Sequence, residues 1–259
     1  MNKKVLIAIL SAVILLIAGA MFIYYDATFL ARYDYKVSYL TLDNPDSRKD
    51  DLRILYLTDL EYGTYTDETN LRKITARVSQ LDYDLIIFGG DLFDIDYTPG
   101  SEDISVLTSF FREMKADDGK FAIFGDYDLI SESRKNITNK ILTDSGFEMI
   151  DEKVKIYLTS SRYFTIYGYD YGRQVERQPD SGEFFLAVIH DLSLCDQLSS
   201  AQLILCGNSH AGQLNWPLSS GYRPGYHSAQ NLYYSSGLGM TKTPHRLFSD
   251  PEIVIITLN

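Results

Sequence analysis

Five short apolar runs in this chain stop at residues that can hold a proton or a metal. "LRILYLTDLE" ends in Asp59 and Glu61, and "YDLIIFGGDLFD" ends in Asp91 and Asp94. "KFAIFGDYD" ends in Asp126 and Asp128, "EFFLAVIHDL" in His190, and "QLILCGNSH" in Asn208 and His210. Each run is rich in branched or aromatic residues and bounded by turn residues, which predicts a buried strand. Ligands of α/β sheets gather outside the carboxyl ends of the strands, so these tips are candidates for one shared site. Asp and Asn also end strands simply as turn residues. The recurrence, with Gly90, Gly125 and Gly207 beside three of the tips, favours the site.

Helical spacing separates the early strands. Leu71, Ile74, Val78 and Leu81 mark a helix over Thr66–Leu81, with Thr66 or Asp67 as its cap. Asp103–Lys115 and Ser133–Thr143 carry two more. The stretch "VKIYLTSSRYFTIYGYDYG" has no helical period and predicts a hairpin. Early β-α alternation followed by successive strands gives an α/β class: a sandwich of two mixed sheets, the second the more antiparallel.

The first 25 residues obey a different constraint. Val5 to Tyr25 is uncharged and about the length needed to cross a bilayer as a helix. Lys3 and Lys4 precede it, which predicts a cytoplasmic N-terminus and an extracytoplasmic remainder, single-pass in the cell membrane. A cleaved signal peptide is the alternative, since Ala18-Gly-Ala20 resembles a processing site. The expected domains are a transmembrane anchor at 1–25, a connector with an edge strand at 26–50, and one globular domain at 51–259.

The net charge of -11 argues against a nucleic acid partner, because phosphate backbones select basic patches. Cys195 and Cys206 fit neither a zinc-ribbon spacing nor a disulfide framework. His227 and His245 are expected to have ordinary loop roles.

In order and spacing, the strand-tip motifs resemble the calcineurin-like metallophosphoesterases, whose pattern runs D-x-H, G-D-x-x-D, G-N-H-[DE], a lone His, then G-H-x-H. The matching stretches are "DLE" (59–61), "GDLFD" (90–94), "GDYD" (125–128), His190 and "GNSH" (207–210). "AGQLNWP" and the tail "LYYSSGLGMTKTPHRLFSDPEIVIITL" are similar to the endings of membrane-associated members. The resemblance implies a calcineurin-like αββα sandwich of two mixed sheets flanked by helices, over roughly residues 51–259. It also implies metal ions sharing a bridging aspartate and activating water for attack on phosphorus. Carried over, Asp59 and His210 would bind one ion and His190 the other, with Asp91 bridging and Asp94 orienting.

Four positions depart from the family pattern. Glu61 and Asn208 stand where histidines are expected, Asp126 replaces the asparagine, and Tyr127 replaces a substrate-contacting histidine. Glu, Asp and Asn each present an oxygen to a metal. The expected ligand set is therefore Asp59, Glu61, Asp91, Asp126, His190, Asn208 and His210. Such an oxygen-rich set suits Mn²⁺ or Mg²⁺ better than Zn²⁺, with one or two ions. Tyr127 could donate a hydrogen bond, stack on a ligand or only pack. Asp128 would hold its hydroxyl or close the turn; both are candidate catalytic residues. The expected function is a membrane-anchored, metal-dependent phosphoesterase acting on phosphate mono- or diesters at the cell envelope, lipid-linked ones included. The alternative is an inactive relative that binds a ligand or partner in the old cleft.

Overall fold

In the computed structural model the described residues are 2–43, 51–150, 152–159, 162–175, 184–209, 213–215 and 223–259. Helix α1 (Lys3–Tyr25) starts at an Asn2 cap and buries none of its residues. It runs on without a break through a π-helical turn at Asp26–Leu30 and a 3-10 turn at Ala31–Tyr33. Among the described residues this is one helix long and apolar enough to cross a membrane.

Two six-stranded sheets follow. The first contains β1 (Lys36–Leu42), β2 (Leu52–Leu57), β3 (Leu85–Phe88), β4 (Lys120–Ala122), β5 (Glu148–Met149) and β12 (Glu252–Leu258). Its order is β1-β12-β2-β3-β4-β5, with β12 and β2 antiparallel and the other pairs parallel. The second contains β6 (Glu152–Thr159), β7 (Arg162–Tyr169), β8 (Phe185–Ile189), β9 (Leu203–Cys206), β10 (Gly225–His227) and β11 (Leu232–Tyr234). Its order is β10-β11-β9-β8-β7-β6. The predicted hairpin is the antiparallel β6–β7 pair, but the centre of this sheet, β7-β8-β9-β11, is parallel. With two antiparallel pairs against one in the first sheet, it is still the more antiparallel of the two, as expected. Strands such as "FLAVI" and "LILC" are buried on both faces, so they lack the alternation that would have marked their surroundings.

Alternation along the first sheet sets the layers. Leu55, Leu57, Ile86 and Phe88 face helices α2 (Glu68–Val78), α3 (Ser101–Glu113) and α4 (Glu132–Asp144), meeting Ile74, Phe111 and Ile141. Ile54, Tyr56, Leu85 and Ile87 face the second sheet and pack on Ile166, Leu186, Val188 and Leu205. The outer face of the second sheet carries Tyr167, Phe185 and Ile204 against Leu194 and Leu198 of a seven-residue 3-10 segment, Leu192–Leu198. Among the described residues that short segment is the fourth layer. Asp67 caps α2 with a full capping box, and Ser131 caps α4. Cys195 and Cys206 are buried free thiols.

The loop after β11 is tied down by Arg246, whose side chain is fully buried. Its guanidinium donates to the carbonyls of Ser249 (2.9 Å), Ser236 (3.0 Å) and Gly237 (3.2 Å), and also to that of Gly239. Burial pulls its pKa down to about 10, against the charges of Tyr35, Asp59 and Glu61. The loop so fixed reaches the strand tips, where Gly239 N–H donates to the Asp59 carbonyl at 2.7 Å.

Candidate metal centre

The carboxyl ends of β2, β3, β4, β8 and β9 converge at one edge of the sandwich, three from the first sheet and two from the second. Asp59, Asp91 and His190 offer ligand atoms that all lie within 4.8 Å of one another, and all three residues are buried. His190 Nε2 is 3.0 Å from Asp91 Oδ2, 3.3 Å from Asp126 Oδ1 and 3.9 Å from Asp59 Oδ1. Asn208 joins the group through its backbone N–H, 2.8 Å from Asp59 Oδ1, and its amide, 3.0 Å from Asp126 Oδ1.

The backbone is bent to achieve this. Asp59, Glu61, Asp91 and Asn208 all have positive φ, at 53°, 47°, 56° and 77°. Left-handed backbone is uncommon outside glycine and gathers at functional sites, because the fold must enforce it. Two glycines make room. A Cβ on Gly125 would sit 2.0 Å from Asp91 Oδ1, and one on Gly207 would sit 2.2 Å from Asp59 Oδ2. Gly207→Ala should therefore displace the Asp59 carboxylate while leaving the sheets intact. The expected outcome is a loss of Mn²⁺ affinity of about tenfold or more with an unchanged far-UV circular dichroism spectrum.

The electrostatics call for a positive charge. His190 Nδ1 lies 2.7 Å from the Gly89 carbonyl, which accepts its proton and leaves Nε2 facing the carboxylates. Nε2 has no aligned hydrogen-bond partner, and neither has the buried Asp59 Oδ2. Burial alone would lower the His190 pKa; the charges of Asp91, Asp126 and Asp59 outweigh it and push the imidazole well up. Burial drives Asp91 well above the carboxylate range, against the pull of His190. Burial would also raise Asp126, but its attraction to the His190 imidazole 3.3 Å away holds it below the usual value. A lone pair and three carboxylates in one pocket are mutually repulsive unless a proton or cation joins them. Orphaned buried donor atoms of this kind fit a divalent cation.

The remaining candidates lie around this core. Glu61 is buried beside Thr241, and burial, then Asp59, raises its pKa strongly. Tyr127 donates its backbone N–H to Asp91 Oδ1 at 2.9 Å. Its hydroxyl also neighbours Thr241 and is pushed up to about 12, by burial and then by Glu61. Asp128 turns away from that hydroxyl. Its carboxylate accepts from the N–H groups of Asp91 (2.8 Å), Gly125 (3.0 Å) and Leu92 (3.1 Å) and from the Thr138 hydroxyl (3.1 Å). It closes the turn and joins the loop of Asp91 to that of Asp126. Asp94 accepts from Asp96 N–H at 3.2 Å and acts on Glu61 through charge. His210 lies outside the described residues. Two contributors escaped the sequence reading, the Gly89 carbonyl and Thr241, neither of which carries a sequence signal of its own; Asp128 takes the second of its two expected roles, closing the turn.

The molecule is a two-sheet α/β sandwich with an acid–imidazole cluster at its strand tips that could hold a metal ion. No family profile matches the chain. It is 24% identical over 231 residues to the uncharacterized metallophosphoesterase YkuE of Bacillus subtilis, spanning 81% of this chain and 79% of that protein. It is 26% identical over 175 residues to phosphodiesterase YaeI of Escherichia coli, spanning 64% and 63%. A 92-residue stretch is 32% identical to the UDP-2,3-diacylglucosamine pyrophosphatase LpxG of Chlamydia muridarum, spanning 36% of this chain and 27% of that one. The solved calcineurin-like phosphoesterase YfkN of Bacillus subtilis matches at 12% identity over 79% of this chain and 80% of its own, with a TM-score of 0.40. In sequence the chain is similar to proteins named metallophosphoesterases.

Proposed function

We propose that this protein is a membrane-anchored, divalent-cation-dependent phosphoesterase with an oxygen-rich centre. One observation carries the reading: His190 Nε2 is aimed, with the other ring nitrogen committed to Gly89, at the carboxylates of Asp91, Asp126 and Asp59. Asp59, Asp91, Asp126 and His190 would hold the cation or cations, with Asn208 and His210 completing the set and Glu61 adding charge behind Asp59. Mn²⁺ or Mg²⁺ suits these donors better than Zn²⁺. Divalent ions in such a centre supply Lewis-acid stabilisation of phosphoryl charge and acidify water. The chain's own part is positional: the Gly89 carbonyl fixes the imidazole, the Asn208 backbone fixes Asp59, and the Tyr127 backbone fixes Asp91. Tyr127, with a neutral hydroxyl beside Thr241, would orient a phosphoryl or leaving-group oxygen by hydrogen bonding.

The anchor would be α1, uncleaved, with the domain on the extracytoplasmic side. An envelope phosphate ester, lipid-linked ones included, is then the reachable substrate class. The partial likeness to LpxG, a UDP-2,3-diacylglucosamine pyrophosphatase, supports that class. A second reading, a binding module without turnover, is favoured by Tyr127 itself: a hydroxyl with a pKa of about 12 is a poor proton donor to a leaving group.

Assay of the purified full chain in detergent separates the two. Nitrophenyl phosphate mono- and diesters and a lipid-linked pyrophosphate are offered with Mn²⁺, Mg²⁺, Ca²⁺ or Zn²⁺. Cation-dependent release, strongest with Mn²⁺ or Mg²⁺, is the expected result. Cation binding without turnover on any ester supports the binding module instead.

A further inference from the structure

We infer that Leu214 and Phe248, together with Phe29 and Leu30, form a foot that seats the domain in the headgroup boundary of the membrane beside α1. This rests on the anchor reading of α1 given above. The inference begins with the absence of slack: the helical rod continues to Tyr33, and its last turns are part of the domain surface. Ala27, Thr28 and Ala31 are buried there. The Ala27 carbonyl accepts from Arg246 N–H at 2.9 Å, and the Arg32 carbonyl accepts from the Asn70 amide at 3.1 Å. Thr28 Oγ1 and His245 Nδ1 are 2.9 Å apart. The domain therefore cannot drift away from the end of the span.

Depth follows from the helix rise. The uncharged span from Val5 is about 20 residues, roughly 30 Å, which matches the hydrocarbon core and puts Tyr24 at its outer boundary. The Tyr24 ring lies 5.8 Å from the ring of His245. The segment carrying His245, Arg246, Leu247 and Phe248 is thus held at the level where tyrosines sit in membrane proteins. The neighbouring segment is bonded to it: Leu247 N–H donates to the Gln213 carbonyl at 2.8 Å, and Asn215 N–H to the Leu247 carbonyl at 2.9 Å.

Beyond α1, the large apolar side chains left open among the described residues are Phe29 (52%), Leu30 (46%), Tyr39, Ile130, Tyr171, Leu214 (54%) and Phe248 (58%). Phe29 and Leu30 lie on the last turns of the rod, and Leu214 and Phe248 on the segments that grip its end. Phe248 is also held at φ 56°, a backbone that bulky residues avoid, and is 58% exposed. Large exposed apolar groups gathered at one place mark a contact surface. Lys36, Arg223, Asp250 and Glu252 line the hollow beside Phe248, cations and acids balanced. The fit is therefore to a lipid surface gripped by apolar contact rather than by net charge, which at -11 for the chain would oppose anionic lipid.

The test uses the full chain in phosphatidylcholine vesicles containing lipid with a nitroxide at a shallow acyl carbon. An environment-sensitive fluorophore is placed in turn at Phe248→Cys, Leu214→Cys, Ile130→Cys and Ile14→Cys, with circular dichroism confirming each fold. Labels at 248 and 214 are expected to shift to the blue and lose roughly half their emission to the quencher, as a label at the interface does. A label at 130 should do neither. Quenching at 14 with labels at 248 and 214 behaving like that at 130 overturns the foot alone. No quenching at 14 overturns the anchor reading, and the foot with it. Leu214→Cys reports independently if the Phe248 variant fails to fold.

Discussion

Asp91→Asn should lose metal-dependent turnover by about 10²–10⁴-fold in kcat/KM, because the centre loses the several kcal/mol that a correctly held cation supplies. The substitution keeps volume and shape. Its amide oxygen can still accept the Tyr127 N–H now bound by Asp91 Oδ1 at 2.9 Å. The amide nitrogen then faces His190 Nε2, where Asp91 Oδ2 now stands 3.0 Å away. An N–H group there would satisfy the imidazole lone pair and cap the position a cation needs. One carboxylate also leaves a crowded pocket. The cation-free variant should accordingly unfold no earlier than the parent, and a little later if relief of repulsion outweighs the rest. Activity, Mn²⁺ affinity and thermal midpoint are measured on the same preparation. Lost activity with an unchanged or raised midpoint supports a functional rather than a structural role. A variant that keeps cation-dependent turnover contradicts the proposed cation-holding role of Asp91.

Asp128→Ala should have the largest effect on stability. It strips the acceptor from three buried backbone N–H groups and the Thr138 hydroxyl. Each stranded donor costs about 1–3 kcal/mol. Removing a buried carboxyl, whose pKa burial raises, offsets part of that. The net expectation is a loss of about 3–5 kcal/mol, or a fall in Tm of roughly 10–15 °C for a domain of this size. Asp128→Asn should fall about halfway, since one oxygen still accepts and the amide faces donors. Mn²⁺ affinity should drop in both, because Asp128 joins the loop of Asp91 to the loop of Asp126. A midpoint within about 2 °C of the parent for Asp128→Ala would show that these hydrogen bonds are not needed.

Much of this was legible in the sequence, for physical reasons. The runs ending at Asp59, Asp91, Asp126, His190 and Asn208 could be read as strands because burial demands continuous apolar residues. Their polar ends stood out because each broke such a run. The three helices showed through apolar spacing, and α2 through its Asp67 cap. The centre of the second sheet was not legible: "FLAVI" and "LILC" bury both faces, and a strand without alternation says nothing about the direction of its neighbour. The left-handed backbone at Asp59, Glu61, Asp91 and Asn208 was hidden as well. Residue type allows it at Asp and Asn, but only the loops pressed against Gly125 and Gly207 require it. His245 was read as an ordinary loop residue because its partner, Thr28, is 217 positions away. Contacts of that separation exist only once the fold has closed.

The most direct test of the central claim is calorimetric titration of Mn²⁺ into the cation-free full chain, with Asp59→Asn and Asp91→Asn beside it. Saturable binding by the parent, competed by Mg²⁺ and severely weakened in both variants, is the predicted result. Absence of saturable binding by the parent, or binding that both variants retain in full, would mean that the cluster around His190 balances its charge with protons and holds no ion.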